Sequence, residues 1–525
     1  MHKVELYDTT LRDGAQSEGI SFSVNDKLKI CEKLAELGVQ YIEGGWPGTN
    51  PKDLEFFERA KSSKVCGGSH LVAFGSTCKA GAKASQDAIL KGLLAAGTDH
   101  ITIFGKSWDL HVTDVLRVDP AENLRMIKDS ILFLKSKDKV VFFDAEHFFD
   151  GYTSNREYAM KALQTAEKAG AARIILCDTN GGTITSRIFE IVEEVGRVIK
   201  TPLGIHAHND SEMAVANSIA AVQAGCVQVH GTINGYGERC GNANIISVIA
   251  NLKLKLGMDC ISSLALTELT EVARFVAEIC NMKLSDNQPF VGESAFAHKA
   301  GVHINAILKN PMTYEHADPH LVGNRRRLLI SELSGKSTIL KKAQEMDLDL
   351  DKDGAESKEI LKVLQELENK GYHFEAAEAS LELLMMRVLK KFKDFFDLEG
   401  FKVTIEKKRN GKMSSEAIIK LKVGKETEHT ASIGDGPVNA LDSALREALK
   451  KFYPKVAEMH LTDYKVRVLD EKQGTAARVR VLVQSQDKDD SWWTIGVSEN
   501  IIDASWQALV DSVEYKLLKD SKKRG

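Results

Sequence analysis

Eight short apolar runs alternate with amphipathic stretches between residues 4 and 280, and no other feature of the chain restricts its fold as strongly. The runs cover 4–7, 39–43, 65–74, 100–104, 140–145, 173–177, 202–206 and 227–231. Helical periodicity fills the intervals, as at 25–37, 85–96, 120–136, 155–169, 186–199 and 211–224. Strand–helix alternation repeated this way over roughly 250 residues has the size of an α/β (β/α)8 TIM barrel. A doubly wound open sheet is the alternative, but the first run is not followed by a dinucleotide-binding glycine pattern.

In a barrel, chemistry gathers where strands end and the following loops begin. Asp8, Arg12, Asp13 and Gln16 follow the first run, and Glu43 ends the second. Glu146 and His147 close the fifth, Asp178, Thr179 and Asn180 the sixth, and His206 and His208 the seventh. The eighth is followed by Asn234, Glu238, Arg239 and Asn242. Any one of these is compatible with an ordinary loop; their accumulation on one rim points to a site. On a strand, residues i and i+2 face the same way, so His206 and His208 with Asp13 offer an O,N,N set for one divalent ion. Taken alone, the histidine pair also fits two hydrogen-bonded rings at a sheet end. Arg12 suits negative charge growing on a carbonyl oxygen, or a plain ion pair with a rim carboxylate. Glu146 suits proton transfer or a loop charge. Phe104 and Phe142, at strand ends, either narrow a pocket or fill the barrel.

The 525 residues exceed one barrel, and the expected limits are 1–280, 281–395 and 396–525. The middle region reads as a mainly helical linker, with an extended link at 288–292 and helices at 336–344, 357–370 and 375–389. Asp349, Asp351, Asp353 and Gly354 imitate the start of an EF-hand loop. Ile360 stands where the bidentate Glu belongs, so an acidic helix N-terminus is the simpler account. The last region runs through strands 401–407, 417–423 and 428–433 and helix 438–451, then strands 461–469, 475–484 and 492–498 and helix 501–518. These two βββα cycles predict an internally repeated α+β module for binding or assembly.

A net charge of −4 gives no case for nucleic acid or an anionic membrane, and no apolar run is long enough to span a bilayer. The basic run at 516–525 reads as a solvated helix end. The 8 cysteines include no C-x-x-C pair, and the N-terminus shows no leader pattern. Reduced, mostly buried thiols in a cytoplasmic protein are expected.

The segment Leu6-Tyr7-Asp8-Thr9-Thr10-Leu11-Arg12-Asp13-Gly14-Ala15-Gln16 resembles the signature of a metal-dependent barrel family. That family contains the 2-isopropylmalate, homocitrate and citramalate synthases, and some lyases and carboxyltransferase domains share the first part of the signature. His206-Ala207-His208-Asn209-Asp210 is similar to the synthases' metal strand. The run from Asn234 to Ala243 resembles their loop after strand eight, with Cys240 where a small residue such as Ala is more usual. Gly434-Asp435-Gly436-Pro437-Val438-Asn439-Ala440 resembles their C-terminal regulatory domain, which the lyases lack. Glu43-Gly44-Gly45-Trp46-Pro47, within the run 42–53, is similar to the long-form (R)-citramalate synthases, where isopropylmalate synthases usually carry an E-A-G-F-P-like run. Residues 143–152 and 496–502 point the same way.

The resemblance implies a condensation of acetyl-CoA with pyruvate that releases CoA and citramalate, a step toward isoleucine. It implies a divalent metal ion (Mg, Mn or Zn) on Asp13, His206 and His208 with Asn242 nearby, and Gln16 close to it. Arg12 would polarise the keto oxygen, Thr179 would hold the substrate carboxylate, and Glu146 would take part in proton chemistry. His303 and Tyr314 match linker residues lent to a partner subunit's site, which implies a homodimer, although Gly301-Val302-His303-Ile304-Asn305 departs from the commoner G-I-H-x-D form. The C-terminal domain would bind an inhibiting amino acid, isoleucine. Rival readings are the same chemistry on 2-oxoisovalerate in leucine biosynthesis, a carbon–carbon lyase, and a metal-binding amino-acid sensor without catalysis.

Overall fold

The computed structural model describes residues 3–522 apart from 49, 330–342, 345–347, 349, 351–353, 408, 410, 412 and 470–476. Strands β1 (Glu5–Asp8), β2 (Tyr41–Gly45), β3 (His70–Ser76), β4 (His100–Lys106), β5 (Val140–Glu146), β6 (Arg173–Asp178), β7 (Leu203–Ala207) and β8 (Gln228–Gly231) pair in sequence order. They close into a parallel barrel, with Tyr7 opposite Tyr41 on one side and His230 on the other.

Side-chain alternation sorts each strand into two faces. Leu6, Ile42, Ile101, Phe143, Ile174, Ile205 and Val229 point outward and are sealed by helical residues such as Ile30, Leu34, Phe56, Ile131 and Ile249 in one continuous core. Inside the barrel, Tyr7, Tyr41, Val72 and Phe142 form a small separate cluster, so Phe142 is barrel filling.

Local chemistry sets the helix limits. Ser23 and Asp26 form a reciprocal capping box ahead of Val24–Leu37, and Gly38 ends that helix in the left-handed region at φ 87°. The third helix starts at Ala88 rather than 85, because the Asp87 carboxylate caps it by accepting from the Ile89 and Leu90 amides. β3 begins at His70 rather than 65, since Lys64 and Gly67 adopt positive φ and turn the chain first. A helix over Phe148–Ser154 and a wide helical turn over His111–Leu116 were not expected.

Among the described residues the chain forms two compact units, Met1–Phe296 with His316–Arg326, and Ala297–Glu315 with Arg327–Gly525. The expected linker at 281–395 is thus divided between them. In the second unit, helices Ala355–Asn369 and Glu378–Val388 precede two antiparallel three-stranded sheets. The first sheet is Asp397–Lys407, Met413–Val423 and Glu426–Gly434, followed by helix Pro437–Lys450. The second is His460–Val468, Val479–Gln486 and Ser491–Ser498, followed by helix Ile501–Lys522. Ala417, Ile419, Leu421, Val481 and Val483 pack with Leu441, Leu445, Leu509 and Val513 in one core.

The basic run at 516–525 is not simply a solvated end. Lys516 is buried, and its Nζ donates to Asp487 Oδ2 at 2.8 Å and Asp520 Oδ1 at 3.1 Å. Most of the expected helix 336–344 and the aspartates 349, 351 and 353 lie outside the described residues.

Candidate active site

The loop after β1 is fixed by its own polar residues. The Asp8 carboxylate accepts from the Thr10 amide and hydroxyl, each at 2.9 Å, and Thr10 Oγ1 accepts from the Ile233 amide just past β8. Asp13 follows in a tight turn, its amide donating to Thr9 O at 2.8 Å. Asp13 thereby faces the end of β7.

There the His206 and His208 Nε2 atoms stand 3.2 Å apart, and lie 3.4 Å and 3.9 Å from Asp13 Oδ2. One ligand atom from each of the three buried side chains lies within 4.8 Å of the others, and no other group of three His, Cys, Asp or Glu does so among the described residues. Burial, reinforced by His206, pushes His208 down to about 3, so its ring is neutral at physiological pH and keeps a lone pair for coordination. Burial alone would raise the Asp13 carboxyl; the adjacent Arg12 guanidinium and the hydrogen-bonded His206 outweigh it and hold the group well below the usual carboxylate range. An anionic oxygen and imidazole nitrogens make a donor set that suits a divalent cation. Asn242 lies beside His208 through an isolated bridge between their backbones, and its buried Oδ1 makes no hydrogen bond among the described residues.

Arg12 sits at the centre of a second network. Its Nε donates to Glu43 Oε1 at 2.6 Å, its Nη1 lies 3.3 Å from Asp13 Oδ2, and its Cζ is 3.7 Å from the Phe74 ring centroid. Tyr7 donates to Glu43 Oε2 at 2.6 Å and lies 2.7 Å from Thr102 Oγ1. The ion pair anticipated for Arg12 is therefore present, yet it engages Nε and leaves much of the guanidinium fork available. Phe104 is half-buried, stacked on Phe74 with centroids 5.6 Å apart and meeting Trp46 edge-on at 5.7 Å.

Glu146 forms an ion pair with Lys106 across β5 and β4. Thr179 Oγ1 accepts from the His147 amide at 2.9 Å, which leaves its own hydrogen free to donate. Arg239 clasps Asp210 at 2.7 Å and 2.9 Å and also donates to Thr179 O at 2.8 Å, tying the loops after β6, β7 and β8 together. Gln16 lines a 310 Å³ pocket with Arg12, Trp46, Asn50 and Lys52. His303 and Tyr314 belong to the second unit, where their exposed rings stack with centroids 4.1 Å apart.

Sequence reasoning passed over Tyr7, Thr102, Lys106 and Asp144. Each lies on an inward-facing strand position, and counting back by two from Glu146 reaches Asp144. Burial pushes the Asp144 carboxyl up to about 7, with His206 opposing and Glu43 adding to the rise.

Three families match consecutive stretches of the chain: the HMGL-like family over residues 3–276, the homocitrate synthase post-HMGL domain-like family over 290–371, and the LeuA allosteric (dimerisation) domain over 375–517. An (R)-citramalate synthase of Aquifex aeolicus is 55% identical over 99% of this chain and 98% of its own. One from Geobacter sulfurreducens is 55% identical over 100% and 99%. A 2-isopropylmalate synthase of Methanocaldococcus jannaschii is 31% identical over 99% and 96%. With full-length identity so much greater to the first two than to the third, the chain belongs to the (R)-citramalate synthase family, within the wider group of HMGL-like barrels that carry a LeuA-type C-terminal domain.

Proposed function

We propose that this acyltransferase joins acetyl-CoA to pyruvate, giving (R)-citramalate and CoA in isoleucine biosynthesis. The observation that carries the reading is the buried Asp13, His206 and His208 set beside an Arg12 guanidinium locked by Glu43. The donor set fits Mg, Mn or Zn, which when bound would supply a Lewis acid to the carbonyl of a 2-oxo acid. Asn242, bridged to His208 and with its buried Oδ1 without a hydrogen bond among the described residues, is a further candidate ligand.

The chain's own residues divide the remaining work. Arg12, held through Nε, points its other N–H groups at the charge that grows on the keto oxygen. The Thr179 hydroxyl donates to the substrate carboxylate. A methyl proton leaves acetyl-CoA, with Glu146, paired with Lys106, in that proton transfer. The resulting carbanion bonds to C2 of pyruvate, whose oxygen takes a proton to become the hydroxyl. Water then cleaves the thioester, yielding a carboxylate and the CoA thiol. Gln16 lines the pocket beside Arg12, and Phe104 is assigned to the substrate through its stack on Phe74, which carries the Arg12 guanidinium.

The LeuA match supports a homodimer with an allosteric C-terminal domain; isoleucine is the amino acid assigned to it, inhibiting from a distance. The exposed His303 and Tyr314 pair is assigned to the site of a second copy. No described helix is long and apolar enough to cross a membrane, in keeping with a cytoplasmic enzyme.

Thiol release from acetyl-CoA by metal-loaded protein, with pyruvate, 2-oxobutyrate, 2-oxoisovalerate and 2-oxoglutarate in parallel and with or without isoleucine, tests this. Preference for pyruvate with inhibition by isoleucine is expected. Preference for 2-oxoisovalerate would move the enzyme to the 2-isopropylmalate reaction.

A further inference from the structure

The loop that leaves β2 is fixed to an unusual degree, and everything that fixes it determines where one indole lies. Lys27 is buried on helix Val24–Leu37, and its Nζ donates to Asp53 Oδ1 at 2.5 Å and to Gly44 O at 2.9 Å. The other oxygen of that carboxylate accepts from the Trp46 amide at 2.9 Å. Gly45 has φ 141°, and a Cβ there would overlap the Asp53 carboxylate. A Cβ on Gly44 would come within 2.8 Å of Phe56 and Phe57, and one on Gly92 within 2.6 Å of Gly48 Cα. The glycines let the loop sink onto a buried ion pair, and the ion pair holds Trp46 by its backbone.

The indole so placed stands between a pocket and an aromatic pair. Trp46 lines the 310 Å³ pocket shared with Arg12, Gln16 and Lys52. Its ring also meets Phe74 at 6.0 Å and Phe104 at 5.7 Å, both edge-on, and Phe74 carries the Arg12 guanidinium. Phe74 and Phe104 do not line that pocket, so Trp46 is the partition between it and the aromatic pair next to Arg12.

We infer that Trp46 is a specificity-determining residue: its indole is the wall that limits the 2-oxo acid to a methyl substituent, and Lys27 and Asp53 are positioning residues that act through it. This rests on the acyltransferase reading above. A rigid wall discriminates by clash, which gives more selectivity than the loss of a few favourable contacts. Removing the indole opens the pocket toward Phe74 and Phe104 and admits a longer alkyl chain.

The experiment compares the parent with Trp46→Leu and Trp46→Tyr. It measures kcat/KM by thiol release for pyruvate, 2-oxobutyrate and 2-oxoisovalerate. It also measures the Tm shift that each 2-oxo acid gives the metal-loaded protein without acetyl-CoA. In Trp46→Leu the ratio of kcat/KM for 2-oxobutyrate to that for pyruvate should rise by about 10-fold or more, with Trp46→Tyr between it and the parent. The Tm shift from 2-oxoisovalerate should grow relative to that from pyruvate in the same order. A pyruvate-selective parent whose variants keep both ratios within about 2-fold would overturn the inference and leave the acyltransferase reading standing. A parent without thiol release on any 2-oxo acid would instead remove that reading, and the Tm shifts alone would then decide the role of Trp46. If Trp46→Leu does not fold, Trp46→Tyr carries the same ratios.

Discussion

The barrel and the C-terminal unit both bury charged side chains, but to opposite ends. In the second unit the buried charges have ion-pair partners: Lys516 meets Asp487 and Asp520, and Glu514 meets the exposed Arg387, which also reaches Asp511. In the barrel they converge on one rim and remain partly unanswered. Asp144 Oδ1, His206 Nδ1, His208 Nδ1 and Asn242 Oδ1 are buried without a hydrogen bond among the described residues. Such groups are few in a folded chain, and their gathering at one rim points to a ligand. The contrast separates buried charge that stabilises from buried charge held ready for a ligand.

Removing part of the unanswered set should have the largest effect. Asp13→Asn and His206→Ala should each lower thiol release on the order of 10³-fold or more, with metal content by elemental analysis falling in parallel and the far-UV spectrum unchanged. Retained metal and activity in both would break the contrast. Next comes the answered pair under the β2 loop. Lys27→Met leaves the Asp53 carboxylate buried without its counter-charge and should cost about 3–5 kcal/mol in urea unfolding. A loss under about 1 kcal/mol would place that pair with surface ion pairs.

Asp144 gives a pH-dependent test. Burial raises its pKa from an unfolded value of about 4 to about 7 in the fold. The folded chain therefore binds the extra proton between these values, and the stability from this group declines as pH rises through that window. In chelator-treated protein, Asp144→Asn should raise Tm at pH 8 and by much less at pH 5. The reverse order would contradict the sign. The smallest effect belongs to the open sheet of the second unit. Ile433 is 73% exposed, so Ile433→Ser should change unfolding free energy by no more than about 0.5 kcal/mol. The same variant should weaken self-association in sedimentation if that face serves assembly.

Much of the barrel was legible because its strands carry apolar outward faces and its helices carry their own caps. The failures have local causes. Val65 and Cys66 extend the apolar run toward β3, but Lys64 and Gly67 turn the backbone before the strand begins. The helix Phe148–Ser154 hides behind Gly151, a poor helix former needed because a Cβ there would overlap Ser107 O. Lys516 reads as a solvent-facing charge because its partner Asp487 lies 29 residues away at the end of a strand. At the rim, Asp13, His206 and His208 could be proposed together because strand parity and loop position both act on single residues. The Tyr7–Glu43–Arg12 chain could not, since it depends on which inward positions share a layer, and register across β1, β2 and β4 is not written in any one segment.

Closure of the barrel has a consequence for how copies of this chain can meet. With β1 paired to β8, all eight strands have neighbours on both sides and offer no free backbone edge. The two three-stranded sheets each end in two outer strands whose amides and carbonyls are paired on one side only. Among the described strands of the two larger sheets and the barrel, strand-to-strand addition, ordered or aggregating, has to begin at Asp397–Lys407, Glu426–Gly434, His460–Val468 or Ser491–Ser498.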